Sequence, residues 1–216
     1  MADWSTIASL ATAGGTLVLA FATYGSTRSA NRAARISEEA LLVGLRPVLF
    51  NARPQDPDQE VGFADHHWLR LRDGLGAVQE QDGKIYMAIP LRNVAQGLAV
   101  LHGWYIHLEV ARSEVPPGPV EEFRRLSRDL YVPAGDINFW QAAIRDPADP
   151  LHAPLKQTIA RGEGVSVDLL YGDHEGGQRT ITRFFLSPRE HAEDEEPWMW
   201  LCAVVRHWNL DREDPR

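Results

Sequence analysis

Residues 77–93 read AVQEQDGKIYMAIPLRN, and this stretch decides the fold class. Asp82-Gly83 separates two extended runs, and such a pair between runs of this length is a strong signal for a tight β-hairpin turn. The second run places three apolar side chains on one face of a strand, because successive side chains alternate between faces. These are Ile85, Met87 and Ile89. The stretch therefore predicts two antiparallel strands that bury one face.

The same alternation recurs on both sides of the hairpin, with turn-forming residues between the runs. Several short strands without intervening helices are typical of an antiparallel β-sandwich. We therefore predict a mainly β fold, an immunoglobulin-like sandwich over residues 47–216, with a jelly-roll strand order as the alternative. Further strands are predicted at 47–52, 67–72, 98–110, 131–144, 165–171, 179–186 and 198–210.

One segment of the domain departs from the strand pattern. Residues 113–120 are rich in proline and predict a loop. The next ten residues, EEFRRLSRDL (121–130), carry apolar side chains at helical spacing and predict a short helix. We expect a loop and helix insertion over residues 113–154. Loops held on a rigid sheet often carry function, so this insertion is the first place to look for a site.

The N-terminal stretch Trp4–Tyr24 reads WSTIASLATAGGTLVLAFATY, and no charged residue occurs between Asp3 and Arg28. As a helix it would be roughly 30 Å long, about the thickness of the hydrocarbon core of a bilayer. Its end residues, Trp4 and Tyr24, would lie at the two membrane interfaces, which amphipathic rings prefer. We predict a single-pass transmembrane helix over residues 1–27. The alternatives are an alanine-rich helix on the domain surface and a cleaved signal peptide.

Arg28, Arg32 and Arg35 follow this stretch at helical spacing and form one stripe. Basic residues close to a span favour the cytoplasmic side, so the predicted topology has the N-terminus outside and the β domain in the cytoplasm. The stripe belongs to a juxtamembrane helix, residues 28–46, and can contact anionic lipid head groups of the cell membrane. Ala11 and Gly15 are small residues spaced four apart, which would let two membrane helices approach closely in a homo-oligomer.

Composition and motifs exclude several classes of function. The 216 residues carry a formal net charge of −8, and an acidic chain without a basic patch is a poor binder of nucleic acid. Cys202 is the single cysteine, so no disulfide can form within the chain. The sequence contains no GxSxG elbow, P-loop or dinucleotide fingerprint. We therefore predict a non-enzymatic protein without a cofactor.

Two short clusters offer side chains of the types that bind metal ions. Neighbouring residues of a strand point to opposite faces, so adjacent ligands rarely chelate one ion. No CxxC or HExxH motif supplies further ligands. No metal site is predicted, and a metal-dependent hydrolase that uses His66, His67, Asp173 or His174 is kept as an alternative. The clusters are Asp65, His66 and His67, and Asp173, His174 and Glu175.

Three motifs resemble those of a group of uncharacterised bacterial, largely actinobacterial, proteins in which a β-sandwich is anchored by a single membrane span. They are Arg46-Pro47-Val48-Leu49, PLRNVAQGLAV (90–100), and Tyr171-Gly172-Asp173 with Gly176-Gly177 before an RTITRF strand. Ala95 departs from the pattern of that group, which has glycine at this position. The resemblance implies the fold and the membrane location, and it implies no catalytic residue. From the residues themselves, we expect Asn93, Gly97 and Asp173 to stabilise turns.

Aromatic residues in the insertion suggest where a partner could bind. Phe139 and Trp140 follow a turn that contains Asp136, and exposed aromatic residues are typical of contact sites. The alternative is that most of the seven tryptophans fill the core. We predict a membrane-anchored, non-enzymatic β-sandwich module that binds a protein or ligand at the cytoplasmic face through these three residues. A second hypothesis is a structural membrane subunit that self-assembles through its N-terminal helix.

Overall fold

The computed structural model describes residues 3–108, 113–189 and 198–212, and at residues 4–8, 11 and 127 it describes the backbone alone. Three sequence predictions lie outside the described residues. They concern the interfacial side chain of Trp4, the side chain of Ala11, and residues 191–197, whose acidic run HAEDEEP predicts a solvated loop. The chain divides into two compact units, Met1–Val43 and Gly44–Arg216.

The first unit is helical. Its helix, α1, spans Trp4–Gly44 and contains 41 residues. This stretch contains no proline and many good helix formers, and Pro47 follows shortly after its end. The long N-terminal helix of the prediction is confirmed. No helix in the described part of the chain is both long enough and apolar enough to cross a membrane.

The second unit is mainly β, as predicted. Its described residues form eleven strands, one short 3₁₀ turn (Val120–Glu122) and one helix, α2 (His152–Ala160). The strands are β1 (Leu49–Asn51), β2 (Gln59–Gly62), β3 (Trp68–Leu71), β4 (Gly76–Gln81), β5 (Lys84–Asn93), β6 (Ala99–His107), β7 (Arg124–Val132), β8 (Ile137–Ile144), β9 (Val165–Gly172), β10 (Thr180–Ser187) and β11 (Met199–Asn209).

Nine of these strands form one antiparallel sheet in the order β1-β5-β4-β11-β10-β9-β6-β7, and β8 pairs with the remaining edge of β5. β2 and β3 form a separate hairpin. The hairpin predicted at residues 77–93 is confirmed, because β4 pairs with β5 from Gln81–Lys84 onward across the Asp82-Gly83 turn. The immunoglobulin-like sandwich is not confirmed by this strand order.

The helix predicted over residues 121–130 is wrong, because residues 124–132 form β7 and pair with β6. Leu126 and Leu130 are four residues apart, which fits one turn of a helix and also one face of a strand. The edge of β6 supplies main-chain partners to this segment, so tertiary pairing decides between the two periods. The predicted insertion 113–154 therefore contains two strands, β7 and β8.

Strands from both ends of this strand order contribute side chains to the main core. β5 and β8 contribute fully buried side chains such as Met87 and Trp140, and β9 and β10 contribute Val167 and Phe184 to the same cluster. Tyr171 is also fully buried, and burial raises the pKa of its hydroxyl to about 12. That hydroxyl accepts a hydrogen bond from the Leu49 N–H at 3.1 Å, so it ties β1 to β9 through the core.

The buried side-chain amide of Asn93 joins the following turn to two distant segments of the chain. Its Nδ2 donates to the Gly97 carbonyl at 2.6 Å and the Val132 carbonyl at 3.0 Å. Its Oδ1 accepts from the N–H groups of Ala95 at 3.1 Å and Val48 at 3.3 Å. All four bonding positions of the amide are therefore used. These four hydrogen bonds explain why asparagine occupies position 93, where the sequence motif predicts a residue that stabilises a turn.

Gly97 is required in the same turn by close packing. A Cβ at this position would collide with the main-chain carbonyl oxygen of Leu45. The segment that precedes β1 can therefore cross the turn only where no side chain is present.

We expect Asn93→Ala to destabilise the fold by about 3 kcal/mol or more, because it leaves several buried main-chain groups without a partner, each at a cost of about 1–3 kcal/mol. Asn51→Ala is the matched control, since among the described groups the Asn51 amide donates to the carbonyl of its neighbour Ala52 alone. Urea denaturation of both variants measures the difference. Equal and small losses would show that the Asn93 amide is not a structural anchor.

Candidate functional site

A cleft opens between β7 and β8, which leave a common turn but join different neighbours. The turn runs from Pro133 to Asp136, where the Asp136 N–H donates to the Pro133 carbonyl at 3.2 Å. From there β7 pairs with β6 and β8 pairs with β5. In the described chain these two strands do not pair with each other. Each therefore has one edge without a ladder partner among the described strands.

Side chains bridge the gap at both ends, between the two strands near the turn and between β7 and the segment after β8 at the far end. Near the turn, the Asn138 amide donates to the Tyr131 carbonyl at 2.6 Å. At the far end, the Arg124 guanidinium binds both carboxylate oxygens of Asp149, at 2.6 and 2.7 Å. Hydrogen bonds from Arg124 lower the pKa of Asp149 below its ordinary value, so this pair stays charged at neutral pH. The open part of the cleft lies between these two ties.

The cleft has a volume of about 290 Å³, an apolar floor and a basic rim. Among the described residues that line it, three are arginines and none is acidic. Gln141 is the other polar residue of the lining, and its Oε1 is buried without a hydrogen-bond partner among the described groups. The lining consists of Phe63, Ala64, Trp104, Arg125, Leu126, Arg128, Leu130, Gln141, Ala142, Ala143 and Arg145.

The three arginines differ in how their charge is balanced. Arg145 donates to both oxygens of Asp65, at 3.1 and 3.2 Å, and Lys84 lies 3.2 Å from the same carboxylate. Hydrogen bonds from Arg145, then from Tyr86 and Lys84, hold the pKa of Asp65 far below its ordinary value. One carboxylate thus faces two cations.

Arg125 and Arg128 have no ion-pair partner within the described residues. The cleft is therefore a positively charged site in a chain whose net charge is −8. A guanidinium binds carboxylate and phosphate groups through paired N–H donors, so such a rim suits an anionic group.

The predicted contact residues occupy three different environments. Trp140 is fully buried and packs edge to face on Trp104 with ring centres 5.6 Å apart. Phe139 is half-buried and packs on the second apolar cluster, whereas Asp136 is exposed and accepts the Ile137 N–H at 2.8 Å. Trp140 is thus a core residue, which was the alternative interpretation of the tryptophans.

The indole Nε1 of Trp140 is buried and has no partner among the described groups. An indole N–H without a partner gives up a hydrogen bond to water, so apolar packing has to offset this cost.

The three arginines of the predicted stripe lie on one side of α1. Tyr24, Arg28, Arg32 and Arg35 are exposed and line one shallow groove on the helix surface together with Thr27 and Asn31. They share this side because residues three and four apart on a helix are neighbours.

Three of the six candidate metal ligands, Asp65, His67 and Asp173, form side-chain hydrogen bonds with other protein groups. Asp65 binds Arg145, and His67 lies 2.9 Å from the Gln79 side-chain oxygen and stacks on Tyr86. Asp173 accepts the N–H groups of its own hairpin, including that of Gly177 at 2.8 Å. Among the described residues, no group of three or more His, Cys, Asp or Glu side chains could hold a metal ion.

Sequence reasoning missed a buried charged cluster on β6, β9 and β10. Asp168 and Arg183 are both fully buried, with Arg183 Nε 2.7 Å from Asp168 Oδ1, and His107 Nε2 lies 2.7 Å from Oδ2. Burial alone would raise the pKa of Asp168, but the hydrogen bonds from Arg183 and His107 outweigh it, so that its pKa is lowered. Arg183 also donates to the carbonyls of Val115 and Pro116, which fastens this proline-rich segment to the sheet.

Sequence reasoning also missed the cleft itself, although the spacing of Arg125 and Arg128 was visible. The helix expected over 121–130 would have placed both side chains on a solvated face. Their common site arises only because β7 lies beside β8 without pairing to it.

No family model matches the chain, and no curated protein matches it. Among solved structures, the crystal structure of a protein from Archaeoglobus fulgidus is similar over 64% of this chain and 98% of its own. The two chains are 14% identical, and the TM-score is 0.23. A score this low establishes neither a shared fold nor a shared function.

We expect Trp140→Ala to destabilise the domain by about 3–5 kcal/mol, the usual cost of emptying a buried aromatic site. Phe139→Ala is the matched neighbour and should cost about 1–2 kcal/mol less, because its ring is only partly buried. Thermal unfolding followed by circular dichroism measures both. A Trp140→Ala variant as stable as the parent would contradict its place in the core.

Proposed function

We propose that the protein is a membrane-anchored, non-enzymatic β-sandwich module that binds an anionic partner at the cytoplasmic face. The observation that carries this proposal is the cleft between β7 and β8. Arg125 and Arg128 line it without an ion pair among the described residues, and its floor is apolar. A site of this kind binds a carboxylate or phosphate group and excludes water from the apolar part of the same ligand.

The shared core supports a two-layer arrangement of the strands. Side chains of β5 and β8 on one side and of β6, β9 and β10 on the other belong to one apolar cluster. Two antiparallel layers that bury their inner faces against each other define a sandwich. In this proposal the layers separate at β7 and β8, and the cleft is the open side between them.

The environment of α1 supports the anchor. Leu17, Val18, Leu19 and Phe21 are between 60% and 71% exposed, although exposed apolar side chains all around a helix are unfavourable in water. The hydroxyls of threonines in the same segment donate to main-chain carbonyls four residues earlier, as Thr16 does to Thr12 at 2.8 Å. This internal pairing satisfies polar side chains where lipid offers no partner.

We propose a non-enzymatic module because of the chemistry of the described side chains. Cys202 is the only thiol, and burial raises its pKa to about 12, so it is protonated at neutral pH. The cleft contains arginines and an amide, which bind anions but do not act as nucleophiles.

We expect the double variant Arg125→Gln/Arg128→Gln to bind a fluorescent oligoglutamate at least about tenfold more weakly than the parent, because each charge-assisted hydrogen bond contributes about 1.5–3 kcal/mol. Fluorescence anisotropy of the full-length protein in detergent measures this. Arg70→Gln/Arg161→Gln removes the same charge at exposed positions outside the cleft. An equal loss in this control would show that only overall charge is sensed.

We expect the full chain to resist carbonate extraction from membranes and to support a C-terminal reporter that is active only in the cytoplasm. Leu17→Arg/Leu19→Arg should make the protein extractable, because each arginine at the centre of a span costs about 2.5–3.5 kcal/mol. Extraction of the parent protein would contradict the anchor. Retention with a silent reporter would contradict the cytoplasmic orientation.

A further inference from the structure

The free edge of β8 can be assigned from the position of Pro90 on β5. Pro90 has no N–H, and its carbonyl accepts from the Ala52 N–H at 2.9 Å, on the side of β5 where β1 lies. The main-chain groups of a strand residue point to the same edge, so Pro90 faces away from β8. Its partner on β8 is Phe139, which makes this a non-hydrogen-bonded pair. The main chain of Phe139 therefore faces the cleft side of β8.

Alternation then places the main-chain groups of four β8 residues at this outer edge: Ile137, Phe139, Gln141 and Ala143. The first two N–H groups are already used. The Ile137 N–H donates to Asp136 Oδ1 and the Phe139 N–H to Asn138 Oδ1, both at 2.8 Å. These bonds agree with the assignment, because an N–H in the β5 ladder would not be available to a side chain.

Gln141 and Ala143 lack such a cap. The residues before them, Trp140 and Ala142, carry no acceptor in their side chains. Within the described residues, neither a paired strand nor a side-chain acceptor serves these two N–H groups. The N–H groups at the outer edge of β8 are thus hydrogen-bonded near the turn, whereas those of Gln141 and Ala143 have no partner among the described residues.

The cleft reaches this open edge. Gln141, Ala142 and Ala143 all line it, although successive side chains point to opposite faces. Three consecutive residues can line one cleft only where it runs along the edge of the strand. On the opposite wall, the pairing of β7 with β6 shifts from Leu130–Leu101 to Arg125–Gly103. Residues 126–129 of β7 therefore bulge out of the ladder at the cleft.

We propose that an extended acidic segment of a partner protein adds to this edge as a strand, pairing its main chain with Gln141 and Ala143. The inference rests on the proposed function, in which the cleft binds an anionic partner. Strand addition uses main-chain hydrogen bonds for affinity and alternate side chains for specificity. It also gives partners to main-chain groups that otherwise form an open sheet edge.

Charge and shape determine the side chains of this segment. Arg125 and Arg128 meet no carboxylate within the described residues, whereas the floor of Trp104, Leu126 and Ala142 is apolar. Because side chains of a strand alternate, acidic residues would face the arginines and small apolar residues would face the floor. The ties at Asn138 and Asp149 bound the open part of the cleft, so the segment is short.

The test uses the full-length protein in detergent and a short fluorescent peptide of alternating glutamate and valine. Two N-methylated peptides of equal composition are compared, one methylated at the glutamate amides and the other at the valine amides. Only alternate amides of an added strand face β8, so we expect one of the two peptides to bind at least about tenfold more weakly and the other to bind like the parent.

A variant of the chain provides the second arm. Ala143→Pro removes the N–H at the free edge, where proline is tolerated in strands, and Ala143→Val keeps it. We expect Ala143→Pro to reduce peptide binding at least about tenfold and Ala143→Val to preserve it, with unchanged circular dichroism in both. Should Ala143→Pro fail to fold, the methylated peptides decide the question alone.

Each remaining outcome separates this inference from the proposed function. Equal binding of both methylated peptides, with loss in Arg125→Gln/Arg128→Gln, would overturn strand addition and leave the anionic site in place. Binding of inorganic phosphate through the same two arginines, without peptide binding, would also overturn it and identify a small-anion site. If neither probe depends on Arg125 and Arg128, both the inference and the proposed function are wrong.

Discussion

The buried side-chain amide of Asn93 lies where β5 ends and where β7 passes into the turn before β8. It binds the main chain on both sides of the following turn, at Ala95 and Gly97, and it also binds Val48 and Val132. A buried amide with all its bonding positions filled fixes these segments together, because breaking the arrangement leaves several main-chain groups unpaired at once. The strand order on both sides of the cleft depends on this junction.

The cleft follows from the way β7 and β8 leave this junction. The Asn93 N–H donates to the Asp136 carbonyl at 3.0 Å, and its side chain holds the end of β7 at Val132. The two strands thus start side by side and then pair with β6 and β5 respectively. Such a separation leaves two edges and a gap, which Arg124 and Asp149 bridge at the far end. The same geometry that completes the core also produces the positively charged site.

The fully buried pair Asp168 and Arg183 and the exposed charges of the cleft have different roles. Asp168 and Arg183 are fully buried, bind each other and hold the proline-rich segment through Val115 and Pro116. Such a pair, with each charge hydrogen-bonded inside the protein, stabilises one arrangement of the chain. Arg125 and Arg128 differ from this pair, because no carboxylate among the described residues forms an ion pair with them. Their charge is available to a partner in our proposal.

Sequence alone determined the mainly β fold, the hairpin at residues 77–93 and the long N-terminal helix. These features are local, because alternation, the Asp82-Gly83 pair and an uncharged stretch without proline each act within a few residues. Only the tertiary structure decided that residues 124–132 form a strand, that Trp140 is buried, and that Arg145 shares one cleft with Arg125 and Arg128. The physical reason is that a pattern shows which face of a segment is apolar, whereas the pairing of strand edges determines which neighbour that segment meets.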